Sequence, residues 1–156
     1  MALAVTQVLL IRHADAGDKS QWTGDDRERP LSEAGRAQAD LLVGTLDAHP
    51  LRHLLTSGYA RCAQTLAPVA ARRGLPVEAV PWLEEGADAR EVLGALIKGG
   101  DVAACTHGDV VSGVLFELAE RGVQLGPSPR MQKGSTWVLD VEDREVRFAR
   151  YLPPPA

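Results

Sequence analysis

Apolar and polar positions along this chain switch repeatedly between a strand pattern and a helix pattern. Val5 to Ile11 is a short, largely apolar run that reads as a first strand, ending where Arg12 and His13 begin a polar stretch. Ser32 is a helix N-cap candidate, and Ala34, Ala37, Leu41 and Leu42 then recur at helical spacing until about His49 and Pro50. His53 to Ser57 reads as a second strand. Arg61 to Arg73 reads as a helix with Ala63, Leu66, Ala67 and Ala70 inward, stopped by Gly74 and Pro76. Val77 to Val80 fits a third strand. Asp88 and Glu91 have capping-box spacing ahead of an apolar face of Val92, Leu93, Leu96 and Ile97, closed by Gly99 and Gly100. Val102 to Thr106 is a fourth strand, and Val110 to Arg121 a helix with Asp109 as its expected cap and Gly122 beyond. Thr136 to Val141 and Glu145 to Tyr151, joined by a short polar turn, read as a hairpin, and Pro153 to Pro155 as an extended tail.

Alternating strands and helices predict an α/β fold, a three-layer α/β/α arrangement with a mostly parallel central sheet and a C-terminal hairpin. No repeat or linker interrupts the pattern, so the expectation is one domain over residues 1–156. The irregular stretch is Ala14 to Pro30, rich in Gly, Asp and Arg. It leaves the strand that precedes His13, so it must overhang the same sheet edge, and a loop of this length reads as a rim or partial lid.

Composition narrows the class. A hydrophobic content of 45% with 24% charged residues is ordinary for a globular protein. A net charge of −4 argues against broad binding to nucleic acid or an anionic membrane, while leaving room for a small cationic pocket. The only cysteines, Cys62 and Cys105, lack metal-type spacing, which points to reduced thiols. The start, Ala2-Leu3-Ala4-Val5, has no basic leader, and no apolar run approaches the roughly 20 residues of a membrane span. The expected location is the cytoplasm, with no metal and no other cofactor.

Two segments carry the candidate chemistry: Leu9-Leu10-Ile11-Arg12-His13 and Ala103-Ala104-Cys105-Thr106-His107-Gly108. Each is an apolar strand ending in a histidine, so two of the four histidines fall at the carboxyl edge where open α/β sheets place ligands. Arg12 sets a guanidinium fork beside His13. An imidazole among arginines suits attack on a phosphoryl group, because the cations stabilise charge on the transferring oxygens. His49 and His53 flank a Pro-Leu turn without acidic or cysteine partners and read as surface histidines.

Leu10-Ile11-Arg12-His13-Ala14, Ser57-Gly58-Tyr59-Ala60-Arg61-Cys62-Ala63-Gln64-Thr65 and Thr106-His107-Gly108 occur in this order, with Arg29-Pro30-Leu31-Ser32-Glu33-Ala34-Gly35 after the first. Together they resemble the histidine phosphatase, or phosphoglycerate mutase-like, superfamily over about residues 7–139, and most closely its short SixA-like phosphohistidine phosphatases. The resemblance implies that His13 is a nucleophile forming a phosphohistidine, that Arg12 and Arg61 clamp the phosphoryl oxygens, and that His107 donates to them. Ser57 and Thr106 then have two readings, as phosphate contacts or as turn and cap hydroxyls. Leu83-Glu84-Glu85 matches a family pattern that makes Glu85 the general acid. The short branch often lacks that acid, which leaves Glu85 as acid or as surface loop residue, and Glu84, Asp15 and Asp18 as alternatives.

The implied partners are a phosphohistidine on another protein or a small phosphorylated metabolite. Trp22-Thr23-Gly24-Asp25-Asp26-Arg27 is similar to histidine phosphatase domains fused to Nudix hydrolases, which brings in nucleotides and sugar phosphates. There Trp22 either stacks on a base or pins its own loop. A non-catalytic module binding phosphorylated ligands is the competing class. A mutase needs a more enclosed pocket than a chain of this length readily builds.

Overall fold

The structure, a computed structural model, describes residues 5–156; the leader reading at Ala2-Leu3-Ala4 lies outside them. Six strands form one sheet: β1 (Val5–Arg12), β2 (His53–Thr56), β3 (Val77–Ala79), β4 (Val102–Thr106), β5 (Thr136–Glu142) and β6 (Glu145–Leu152). Their order is β3-β2-β4-β1-β5-β6. The first four pair in parallel, and β5 and β6 add an antiparallel hairpin beside β1. The helices are α1 (Glu33–Leu46), α2 (Ala60–Arg73), α3 (Ala89–Lys98) and α4 (Gly108–Glu120). Among the described residues, no helix is long and apolar enough to cross a membrane.

The strand period of two divides the core. Val8 and Leu10 point to the side covered by α3 and α4, where they meet Val92, Leu96, Val110 and Val114. Leu9 and Ile11 point to the side covered by α1 and α2, against Leu42, Leu46, Leu66 and Val69. With both faces covered, β1 and β4 must be apolar at every central position, which is why they read as continuous runs rather than alternating ones. Truncating a buried leucine such as Leu10 to alanine costs roughly 2–5 kcal/mol. The strand that presents Arg12 and His13 is therefore held by its own burial.

Several boundaries differ from the pattern, each for a local reason. α1 stops at Leu46, short of His49. α2 runs through Pro68 and ends on Gly74 in the left-handed conformation. Asp88 accepts from the amides of Arg90 and Glu91, so the aspartate side of the expected capping box forms. α4 begins at Gly108 with His107 as its N-cap. Asp109 is not the cap, because its carboxylate instead accepts the Gly86 amide at 2.8 Å. The polar turn of the hairpin places Asp143 and Arg144 at φ 52° and 59°, the geometry that suits the twist of a two-residue hairpin loop. The Ala14–Pro30 stretch contains two short 3-10 turns, Lys19–Gln21 and Asp26–Glu28, each capped by the aspartate before it.

Candidate active site

β1 and β4 are neighbours, and their register pairs Arg12 with Thr106. The next residue of each chain, His13 and His107, therefore leaves the sheet at one point. The His13 amide still donates to the Thr106 carbonyl at 3.1 Å, and the two imidazoles meet edge to face with centroids 5.6 Å apart. His13 is 6% exposed. Its Nδ1 lies 2.8 Å from the Ala14 carbonyl, which can only accept, so Nδ1 carries the proton and Nε2 keeps its lone pair. Burial, then the coulombic influence of Arg61, His107 and Arg12, pushes its pKa down to about 3, against the raising effect of the Ala14 carbonyl. The ring is neutral across the physiological range, as a nucleophile requires.

Arg12 leaves β1 beside it and donates through Nη1 to the Met131 carbonyl at 2.9 Å. Its guanidinium lies flat on the start of α4: a Cβ on Gly108 would come within 2.9 Å of Arg12 Cζ. A side chain where the helix begins would therefore displace the Arg12 guanidinium, by close approach rather than by turn geometry. Arg61, on the first turn of α2, is 1% exposed. Nη1 donates to the Asp26 carbonyl at 2.8 Å, and Nη2 to Asp26 Oδ2 at 3.1 Å and Glu85 Oε1 at 3.0 Å. The Thr65 hydroxyl joins the same turn to β1, donating to the Arg61 carbonyl and accepting the Ala14 amide.

His107 is buried under Tyr59, with ring centroids 4.6 Å apart. The Ser57 hydroxyl accepts the Tyr59 amide at 3.3 Å and meets His107 Nε2 at 2.8 Å. With that hydroxyl donating, His107 carries its proton on Nδ1. Among the described residues, four buried side-chain polar atoms have no hydrogen-bond partner. Three are donors or potential donors of this cluster: Arg12 Nε, Arg61 Nε and His107 Nδ1. Unpaired buried donors are costly, so such a cluster is where an acceptor from outside the chain would be stabilised most.

Arg12, His13, Arg61 and His107 line one open pocket of about 1010 Å³, together with Tyr59, Glu85, Lys19 and Lys133. Glu85 stands at its mouth, 3.7 Å from His107 Nδ1. A turn closed by the Ala87 amide on the Glu84 carbonyl holds it there, with Gly86 at φ 82°. Of the alternative acids, Glu84 is occupied by a two-pronged pair with Arg27 at 3.0 and 3.1 Å. Asp15 accepts the Ser32 hydroxyl, and Asp18 caps a 3-10 turn at the rim.

Ser57 and Thr106 each carry two readings, as phosphate contacts or as turn and cap hydroxyls. Ser57 lies behind His107 rather than in the pocket. The Thr106 hydroxyl donates to the Leu83 carbonyl, so Thr106 ties β4 to the segment before Glu85 and does not line the pocket. Both therefore lie closer to the structural reading than to direct phosphate contact. The Trp22 indole donates to the Asp25 carbonyl, the loop-pinning alternative. His49 pairs with Gln7 Oε1, and His53 opens β2 at the sheet edge away from the pocket. Cys62 and Cys105 are free and buried.

Residues that sequence reasoning missed are Tyr59, Asp26, Arg29 and Lys133. Tyr59 lies between the guanidiniums of Arg27 and Arg61, 4.7 and 4.9 Å from its centroid. Lys133 arrives because the Gly134 amide is fixed to the carbonyls of Arg12 and His13. No local pattern signals either placement. Among the described residues, no group of three or more His, Cys, Asp or Glu side chains is gathered as metal ligands.

Comparison with known proteins agrees with this geometry. The family model described as histidine phosphatase superfamily (branch 1) matches residues 8–87. The 8-oxo-(d)GTP phosphatase of Mycolicibacterium smegmatis is 37% identical over 155 residues, covering 95% of this chain and 48% of that protein. The chain thus spans about half the length of this curated relative. A Nakamurella multipartitia structure assigned to the phosphohistidine phosphatase SixA superposes with TM-score 0.78 at 21% identity, covering 100% of both chains. The protein histidine phosphatase SixA complexed with tungstate superposes with TM-score 0.76 at 22% identity, covering 96% of each. At that identity the two structures speak for the fold.

Proposed function

The chain belongs to the histidine phosphatase superfamily, and from this we propose that it is a phosphatase working through a covalent phosphohistidine on His13. The observation that carries the reading is the gathering of Arg12, Arg61 and His107, each with one buried nitrogen unpaired, around the pocket that His13 also lines.

In the first step, His13 Nε2 attacks phosphorus, the bond to the leaving group breaks, and the leaving group takes up a proton. The ring becomes cationic, and its Nδ1–H bond to the Ala14 carbonyl strengthens as it does so. Arg12, Arg61 and His107 hold the three equatorial oxygens, whose charge they stabilise in a site already ordered before substrate arrives. In the second step, water attacks the phosphohistidine, inorganic phosphate leaves, and Nε2 regains its lone pair. Its 3.7 Å approach to His107 Nδ1 supports Glu85 as the candidate for moving protons in both steps. The charge on the phosphoryl oxygens is met by arginine and histidine, so the reading assigns no metal.

An open mouth suits a phosphohistidine presented on another protein, and this is the favoured substrate. A second reading, a small phosphorylated compound such as a nucleotide, is supported by the relative from Mycolicibacterium smegmatis. A cytoplasmic location accompanies either. Turnover of a phosphohistidine protein, measured beside nucleotides and sugar phosphates, separates them. The mechanism itself is tested by His13→Ala: turnover and acid-labile labelling by a ³²P-substrate should both vanish while the circular dichroism spectrum is retained. Persistent turnover would refute the mechanism. Intact binding with no turnover in the wild type would establish a non-catalytic binding module instead.

A further inference from the structure

Two carboxylates share the guanidinium of Arg61, on different edges. Asp26 takes the far end: its backbone carbonyl accepts from Nη1 at 2.8 Å and its Oδ2 from Nη2 at 3.1 Å. Glu85 takes the remaining Nη2 proton at 3.0 Å, on the edge shared with the unpaired Nε–H. That edge is the two-pronged face a phosphoryl group would use. Asp26 is itself fixed, since Arg29 Nε donates to its Oδ1 at 3.0 Å while Arg29 Nη1 reaches the Ala16 carbonyl at 2.7 Å. Arg29 is 8% exposed and Arg61 1%.

We infer that Asp26 is a positioning residue: it grips one edge of Arg61 so that the Nε/Nη2 edge faces His13, and it thereby locks the Ala14–Pro30 loop to the phosphoryl site. Glu85, by contrast, stands where a substrate oxygen lands and must give way to it. The distinction matters because plain electrostatics predicts the same sign for both residues. Removing either negative charge should strengthen anion binding. Positioning predicts opposite signs. Without the Asp26 carboxylate, Arg61 loses one of two fixed points, and an anion must order the side chain as it binds.

This inference rests on the pocket being a phosphoryl site, so the test reports the two separately. Tungstate binding to the purified protein is measured by calorimetry for the wild type, Arg61→Ala, Asp26→Asn and Glu85→Gln. Loss of binding in Arg61→Ala reports the site. Asp26→Asn should then weaken tungstate by roughly tenfold, and Glu85→Gln should tighten it. Asp25→Asn, which removes the adjacent cap of the same 3-10 turn without touching Arg61, should leave the affinity unchanged. In the Arg61→Ala background, Asp26→Asn should change kcat/KM no further, because its effect runs through the missing side chain. Asp26→Ser serves should the asparagine variant not fold. Equal or tighter binding in Asp26→Asn would overturn the assignment, as would a full Asp26 effect persisting without Arg61. A wild type that binds no tungstate would overturn both the site and the inference.

Discussion

The strongest quantitative consequence of the site concerns His13 and pH. In the unfolded chain its imidazole titrates near 6.5, whereas in the folded protein burial and cationic neighbours push it down to about 3. Between these values the unfolded state binds the extra proton, so stability falls as pH falls through this window. The destabilisation grows by about 1.4 kcal/mol per pH unit below 6.5, reaching about 2 kcal/mol at pH 5 relative to pH 7. Glutamine does not titrate, so His13→Gln should be less acid-sensitive than the wild type by that amount. Urea denaturation at pH 5 and pH 7 on both proteins isolates the effect, since carboxylates and the other histidines change both alike. A difference between the two pH responses below about 0.5 kcal/mol would mean that His13 titrates near its ordinary value. The neutral, carbonyl-oriented nucleophile would then be wrong.

Further expectations concern Arg12, Glu85 and the role of metal. Gly108→Ala drives a methyl group into the Arg12 guanidinium, whose Cζ would lie 2.9 Å away; kcat/KM should fall by roughly tenfold to a hundredfold with little loss of Tm, and unchanged kinetics would show that Arg12 is not set by this contact. Glu85→Gln should depress hydrolysis of alkyl phosphate esters by roughly 10²–10⁴ while affecting phosphohistidine much less, because imidazole needs less help in leaving. Equal losses on both substrates would place the role of Glu85 in pocket structure or charge rather than in proton transfer. Dialysis against EDTA should leave turnover unchanged, and activity lost and then restored by a divalent ion would contradict the assignment of charge stabilisation to Arg12, Arg61 and His107.

The sequence by itself determined the layers and where the candidate chemistry falls. Central strands buried on both faces must be apolar, so Val8 to Ile11 and Val102 to Cys105 stand out without a structure, and the histidines that follow them, His13 and His107, fall at the carboxyl edge of the parallel strands. What no local pattern could decide was how side chains distant in sequence divide the hydrogen bonds. Thr106 and Ser57 were legible as hydroxyls near the site, but whether each faced the pocket depended on Leu83 and His107 arriving behind them. The partners of Arg61 lie 35 residues before it, at Asp26, and 24 after it, at Glu85. Asp109 had the local credentials of a cap and lost that role to the Gly86 amide, 23 residues away. Periodicity reports burial, a property of one segment against solvent; the grip on Arg61 is a competition among donors and acceptors that exists only once α2, the Ala14–Pro30 loop and the Glu85 turn have met.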